Sequence, residues 1–261
     1  MCIYYKKVMA DNPLRPKNAQ FENTWVKVSQ VCRDKYNIKT GRNARFVCET
    51  IFSEFTGKNA FSYAECGVYQ GTTFFPVYHF CELIFPDMDL FALDTFSGFP
   101  ENSISEYDEC SRFKWLYQQG RITREHLISS EKRCSRLKNK EHLGKDYFKN
   151  GALLFNERIK GKKNITTVPC SFHQLKRVES LTKKKFDLVF LDCDLYLSYK
   201  LCLDFFMNKT GIFILDEYYS LKYPGARIAC DEFVRSNPEW EFFHQIESDP
   251  YFERWGLKKS Q

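Results

Sequence analysis

The sequence predicts an α/β fold, a mostly parallel sheet with helices on both faces. Three observations predict it. Five short apolar runs recur along the chain, Phe61–Glu65, Leu90–Asp94, Ile165–Pro169, Phe186–Asp192 and Gly211–Asp216. Most are separated by stretches long enough for a helix, and each ends at a polar or small-residue turn. Continuous apolar stretches such as Leu188-Val189-Phe190-Leu191 suit strands buried on both faces, as parallel strands under crossover helices are.

The elements follow in order. Residues 1–20 are polar, carry Pro13 and Pro16, and read as a loose arm. Residues 21–56 read as helical: Phe21, Trp25, Val28 and Val31 recur at helical spacing, as Phe46, Ile51 and Phe55 do less regularly, and Gly57 is a stop. This divides the chain into an N-terminal arm and helical cap over 1–58 and a main domain over 59–261. After the five runs, Trp240–Ile246 and Tyr251–Trp255 read as two further strands around a turn at Asp249-Pro250. A short hairpin there makes one of them antiparallel and brings the sheet to seven strands.

Residues 101–150 separate the second and third runs by more than an ordinary connection. This stretch is rich in Lys and Arg, from Arg112 and Lys114 through Arg133 to Lys145 and Lys149. It reads either as a solvated helical insertion or as a lid that attracts an anionic acceptor.

Composition bounds the function. The 261 residues are 43% hydrophobic and 17% aromatic, enough for a full core, so bulk disorder is excluded. A net charge of +6 does not by itself indicate nucleic acid. The eleven cysteines are scattered without a C-x-x-C pair or zinc spacing, which predicts free core thiols in a reducing cytosol. The first residues do not read as a signal peptide, and no apolar run approaches membrane-spanning length. A cytoplasmic protein without a membrane span is expected.

Chemistry concentrates at the strand ends. These carry a recurrent acid: Glu65, Asp94, Asp192 with Asp194, and Asp216 with Glu217. In open parallel sheets ligands bind beyond the carboxyl ends of the strands. Like charges converging there cost free energy unless hydrogen bonds, a cation or a polar ligand compensates. The first turn, Glu65-x-Gly67-x-x-x-Gly71, allows close backbone approach but lacks the third glycine of the dinucleotide fingerprint. It suits a nucleoside without a pyrophosphate. Asp94 is placed to accept from two ribose hydroxyls. Asp192, Asp216 and Glu217 form a hard-oxygen set for Mg²⁺. Such an ion lowers the pKa of an acceptor hydroxyl while a carboxylate takes its proton.

The five histidines are dispersed, and only His142, in the basic stretch, is singled out. Of Tyr196, Tyr199, Tyr218, Tyr219 and Tyr223, most are packing and one or two form a sugar-stacking wall. Cys66 and Cys193 flank the site without a nucleophilic role.

Four motifs in order resemble the macrocin O-methyltransferase family, metal-dependent sugar methyltransferases on the class I Rossmann-like fold. They are Glu65-x-Gly67-Val68-Tyr69-Gln70-Gly71, Asp94-Thr95-Phe96-Ser97-Gly98-Phe99-Pro100, Leu191-Asp192-Cys193-Asp194-Leu195-Tyr196, and Gly211 to Tyr218 with Gly225-Ala226-Arg227 after it. The resemblance implies S-adenosylmethionine as methyl donor, Mg²⁺ on Asp192, Asp216 and Glu217, and a sugar or glycan acceptor. It implies Asp192, or else Asp194, as general base. The implied cofactor residues are Glu65, Cys66, Gly67, Tyr69, Gln70, Gly71, Thr72, Asp94, Thr95, Ser97, Cys170, Ser171 and Asp192.

The chain departs from the family with Cys193 where glycine is usual and with Glu217 for a common second Asp. It also lacks a glycine in Val168-Pro169-Cys170-Ser171, which bears on the adenine contact. A catechol-like acceptor and a non-catalytic nucleoside-binding module are the alternatives. A nicotinamide oxidoreductase is disfavoured by the missing glycine. A nucleic-acid methyltransferase is disfavoured by the lack of an Asn-Pro-Pro-Tyr-like motif. Homo-oligomer formation is left open.

Overall fold

The structure is a computed structural model that describes residues 18–100, 103–134, 145–245 and 253–260, with 145–149 and 245 described as backbone alone. The helical cap is two helices, α1 (Ala19–Tyr36) and α2 (Arg42–Phe55). Asn18 caps α1, its side chain accepting from the backbone N–H groups of Gln20 and Phe21. Asn37 ends it in the left-handed region with φ 54°, where its N–H returns to the Arg33 carbonyl.

The main domain alternates strand and helix. In order come β1 (Ala60–Cys66), α3 (Phe74–Ile84), β2 (Asp87–Asp94), α4 (Ser111–Gln118), α5 (Arg124–Cys134), α6 (Lys145–Ile159) and β3 (Ile165–Pro169). They are followed by the single turn α7 (Glu179–Thr182), β4 (Leu188–Leu191), α8 (Tyr196–Phe206), β5 (Ile212–Leu215), α9 (Pro224–Ser236), β6 (Trp240–Gln245) and β7 (Arg254–Lys259). The seven-stranded sheet has the order β3-β2-β1-β4-β5-β7-β6. β1 to β5 pair in parallel, and β7 runs antiparallel between β5 and β6.

The last strand lies further along than expected. The sequence predicts Tyr251–Trp255, whereas β7 spans Arg254–Lys259. Its register sets Leu257 against Phe213 and Trp255 against Leu215, which buries Arg254 to Leu257 continuously. The expected Asp249-Pro250 turn lies outside the described residues.

Each face of the sheet has its own core. One holds α1, α2, α3 and α6, with Val28, Ile51, Phe75 and Phe155 fully buried. Burying one such aromatic ring contributes about 3 kcal/mol or less. The other holds α4, α5, α8 and α9, with Phe113, Tyr199, Phe206 and Phe233 inside.

The proposed insertion over 101–150 overlaps α6. Residues 101–150 were expected as one basic unit, but α6 continues to Ile159 and sinks Phe155 into the core. It is the crossover helix between β2 and β3. The inserted part is what precedes it, including a short turn at Glu106–Asp108, α4 and α5. The Asp108 carboxylate accepts the Tyr196 N–H at the start of α8, 2.8 Å away. The Arg121 guanidinium meets Asp231 of α9 at 2.5 Å.

The cysteine expectation is also corrected. Folding α5 back on α4 brings Cys110 and Cys134 to a Cα separation of 5.9 Å, and they are disulfide-bonded. Eight other described cysteines are free and buried. Cysteine usage therefore gives no warrant for a reducing compartment. No helix among the described residues is long and apolar enough to cross a membrane.

Candidate active site

Strand order reverses between β1 and β4, which opens a crevice at their carboxyl ends. Gly67 makes the crevice narrow. A Cβ there would lie 1.8 Å from the Asp192 carbonyl oxygen, and its φ of +91° also favours glycine. Three non-glycine residues in these turns hold positive φ: Tyr69 at 51°, Phe96 at 54° and Asp194 at 60°. Such conformations cost free energy and gather at functional sites, where surrounding contacts over-determine them.

The contacts here centre on Asp94. Its Oδ2 accepts from the Val68 and Tyr69 N–H groups at 2.8 and 2.9 Å, and its Oδ1 from Phe96 N–H at 2.8 Å. Asp94 thus ties the β1 turn to the β2 turn. From behind, α6 braces the glycine turn. The Arg158 guanidinium donates to the Gln70 carbonyl at 2.7 Å and to the Tyr36 carbonyl of α1 at 2.9 Å. Gly151 leaves room for the Tyr69 ring, which a Cβ there would meet at 2.3 Å.

The crevice is a cavity of about 510 Å³. Of the residues expected to bind cofactor, Gly67, Tyr69, Thr72, Asp94, Thr95 and Asp192 line it, and so does Asp194. The remaining cofactor candidates do not. Glu65 is buried beneath the turn, where the Tyr63 hydroxyl donates to it at 2.7 Å. Cys66 lies in the core, the Gln70 carbonyl is spent on Arg158, and Gly71 packs on Phe75. Ser97 points to solvent with its N–H on Thr95 Oγ1, and Cys170 is buried with its N–H on the Asp94 carbonyl. Ser171 precedes the turn Phe172–Arg177, whose Phe172 ring faces the cavity instead.

Of the five tyrosines expected near the acids, Tyr223 lines the cavity, with Phe99 6.5 Å away ring to ring. Tyr196 and Tyr218 turn to Glu232 and Asp231. Tyr219 packs against the His126 ring. The Tyr199 hydroxyl sits between the Leu191 carbonyl and the Glu217 carboxylate, at 2.7 and 3.0 Å. His142 lies outside the described residues.

Asp192, Asp216 and Glu217 converge, with one oxygen of each within 4.8 Å of the others. Burial and the neighbouring acids push the Asp192 and Glu217 carboxyls well above the usual carboxylate range. Asp194 is pushed up to about 7 by burial first and the Asp216 charge second, with nearby Lys222 acting the other way. Carboxylates this close repel one another unless a proton lies among them. A cation removes that requirement. The residues fit a hard divalent ion in donor type and spacing. An amide oxygen beside them, Asn43 Oδ1, is enclosed without any donor.

Neighbouring thiols do not compete for chemistry. Burial pushes Cys193 and Cys170 up to about 11, so both stay protonated.

Sequence reasoning missed Asn43, Lys222, Phe172 and Arg158, and had Arg133 only as part of a basic run. Arg133 and Lys222 line the cavity from α5 and from the loop before α9. A charge census of the insertion signals the first; the others have no local signal, because the fold alone brings them in.

The strand order, the antiparallel hairpin and the position of the crevice define the class I methyltransferase fold. Solved structures agree. The O-methyltransferase NovP matches with a TM-score of 0.52 at 16% identity, over 84% of this chain and 78% of that one. The calicheamicin methyltransferase CalS11 matches with a TM-score of 0.52 at 13% identity, over 95% and 97%. These likenesses establish the shared fold. No protein-family model and no curated protein sequence matches the chain.

Proposed function

We propose that the chain is an S-adenosylmethionine-dependent, Mg²⁺-assisted O-methyltransferase acting on a sugar hydroxyl of a glycan, nucleotide-sugar or glycosylated metabolite. One observation carries this reading. Asp192 belongs both to the three-carboxylate cluster and to the lining of the cavity, so a cation on the cluster would meet a nucleoside in the cavity at that residue. The four motifs that resemble sugar methyltransferases support it.

When bound, S-adenosylmethionine supplies an electrophilic methyl group and Mg²⁺ acidifies the acceptor hydroxyl. The chain's residues do the rest. Gly67, Tyr69, Thr72 and Asp94 line the donor side, and Asp192, Asp216 and Glu217 hold the ion. With Asp192 a ligand, the base is Asp194. It lines the cavity and stands outside the three-carboxylate set, so its carboxylate is left to take the proton. Phe99 and Tyr223 offer apolar faces to a sugar ring. Arg133 and Lys222 favour an acceptor carrying negative charge. The cap over 1–58 and the inserted helices set acceptor choice.

The test is transfer of labelled methyl from S-adenosylmethionine to sugar nucleotides, neutral glycans and catechols, with EDTA and then restored Mg²⁺. Turnover on an anionic sugar, abolished by chelator and recovered with Mg²⁺, is expected. Turnover insensitive to EDTA contradicts the metal, and turnover on catechol alone contradicts the acceptor.

A further inference from the structure

Asn43 of the N-terminal cap reaches the acid cluster. Asn43 is the second residue of α2, and its Nδ2 donates to Asp216 Oδ1 across 173 positions of sequence. It takes no part in capping its own helix, where Gly41 stands at the N-cap without a side-chain bond. The other end of the amide, Oδ1, is enclosed by protein and meets no donor. Asn43 Oδ1 thus belongs to a group that is itself hydrogen-bonded to the cluster.

An enclosed acceptor with no donor is costly unless a ligand satisfies it. An amide presents opposite chemistry at its two ends, donor N–H and coordinating oxygen. Toward carboxylates without a cation the donor end is favoured. Toward a divalent cation the oxygen is favoured, because Mg²⁺ and Mn²⁺ take carboxylate and carbonyl oxygen. A half turn about the Cβ–Cγ bond exchanges the two ends without moving the backbone.

We infer that Asn43 Oδ1 is a fourth protein ligand of the cation, delivered by the cap to the three carboxylates. This rests on the metal reading above. It gives the cap helices a role in metal binding: the ion is completely held only when α2 is docked.

The test is Mn²⁺ titration of the full chain, read by electron paramagnetic resonance and needing no turnover. Thermal melts in EDTA check that each variant folds. Wild type is expected to bind one Mn²⁺, Asn43→Ala to weaken it by about tenfold or more, and Asn43→Asp to keep or tighten it. An unchanged affinity in Asn43→Ala overturns the inference while leaving the metal site standing. Weakening in Asn43→Asp also overturns it, since that outcome marks Asn43 as only a donor to Asp216. Asn43→Asp decides the matter by itself if Asn43→Ala does not fold. Absence of Mn²⁺ binding by wild type overturns both this inference and the metal reading, and is read before any variant.

Discussion

Gly67 decides whether the two halves of the crevice meet. A methyl group at this position would overlap the Asp192 backbone, so Gly67→Ala must push β1 and β4 apart. Overpacking of this kind costs about 1–3 kcal/mol. Urea unfolding should register that loss, and calorimetry should register weakened S-adenosylhomocysteine binding; unchanged values for both contradict the geometry. Asp194 makes a different prediction. Asp194→Asn leaves cofactor binding intact, removes the base, and lowers kcat by about a hundredfold or more. Unaltered kcat excludes the role. Much of this was legible in the sequence, because Asp94 ends a strand, Gly67, Asp192 and Asp216 follow strands directly, and strand ends are local features. Glu65 shows the limit. Its position at a strand end is legible, but its side chain turns inward to Tyr63, and spacing does not reveal which face a terminal residue takes.

At the scale of elements, α5 is held by a buried histidine and a disulfide. His126 Nε2 donates to the Ser220 carbonyl at 3.0 Å, with the Phe113 and Tyr219 rings around it. Burial, with the Arg227 charge second, pushes His126 down to about 4. The unfolded chain takes up this proton near 6.5 and the folded chain does not, so stability is lost as pH falls from about 6.5 towards 4. Between pH 7 and pH 5 the loss is about 2 kcal/mol. Urea unfolding at the two pH values measures it, and His126→Gln, which keeps a donor, should flatten the dependence. A dependence of the same size in His126→Gln would assign it elsewhere. The Cys110–Cys134 bridge spans a separation of 24 residues. Closing a loop of that order contributes about 3 kcal/mol. Reducing agent should lower the melting temperature, and Cys134→Ser should reproduce the shift without it. The insertion was legible as a break in rhythm and as a basic run. Its docking was not, because Arg121–Asp231 and Cys110–Cys134 depend on how α5 folds back on α4 and α9.

Across the whole molecule, one sheet separates two cores and brings remote segments to a single crevice. The alternation of apolar runs made the α/β architecture legible, since strands buried on both faces leave continuous apolar runs. The final strand was displaced because its register is set by pairing with β5, which no local pattern encodes. The contributions of Asn43 and Arg158 were hidden for the same reason: they come from helices far from the motifs they complete. The proposed site at the β1 and β2 ends takes a nucleoside without a pyrophosphate. Calorimetric titration with S-adenosylhomocysteine and, separately, NAD tests that claim most directly. The expected result is one S-adenosylhomocysteine per chain, lost in Asp94→Ala, with no heat from NAD. Binding of NAD, or no binding of S-adenosylhomocysteine by the folded wild-type chain, contradicts it.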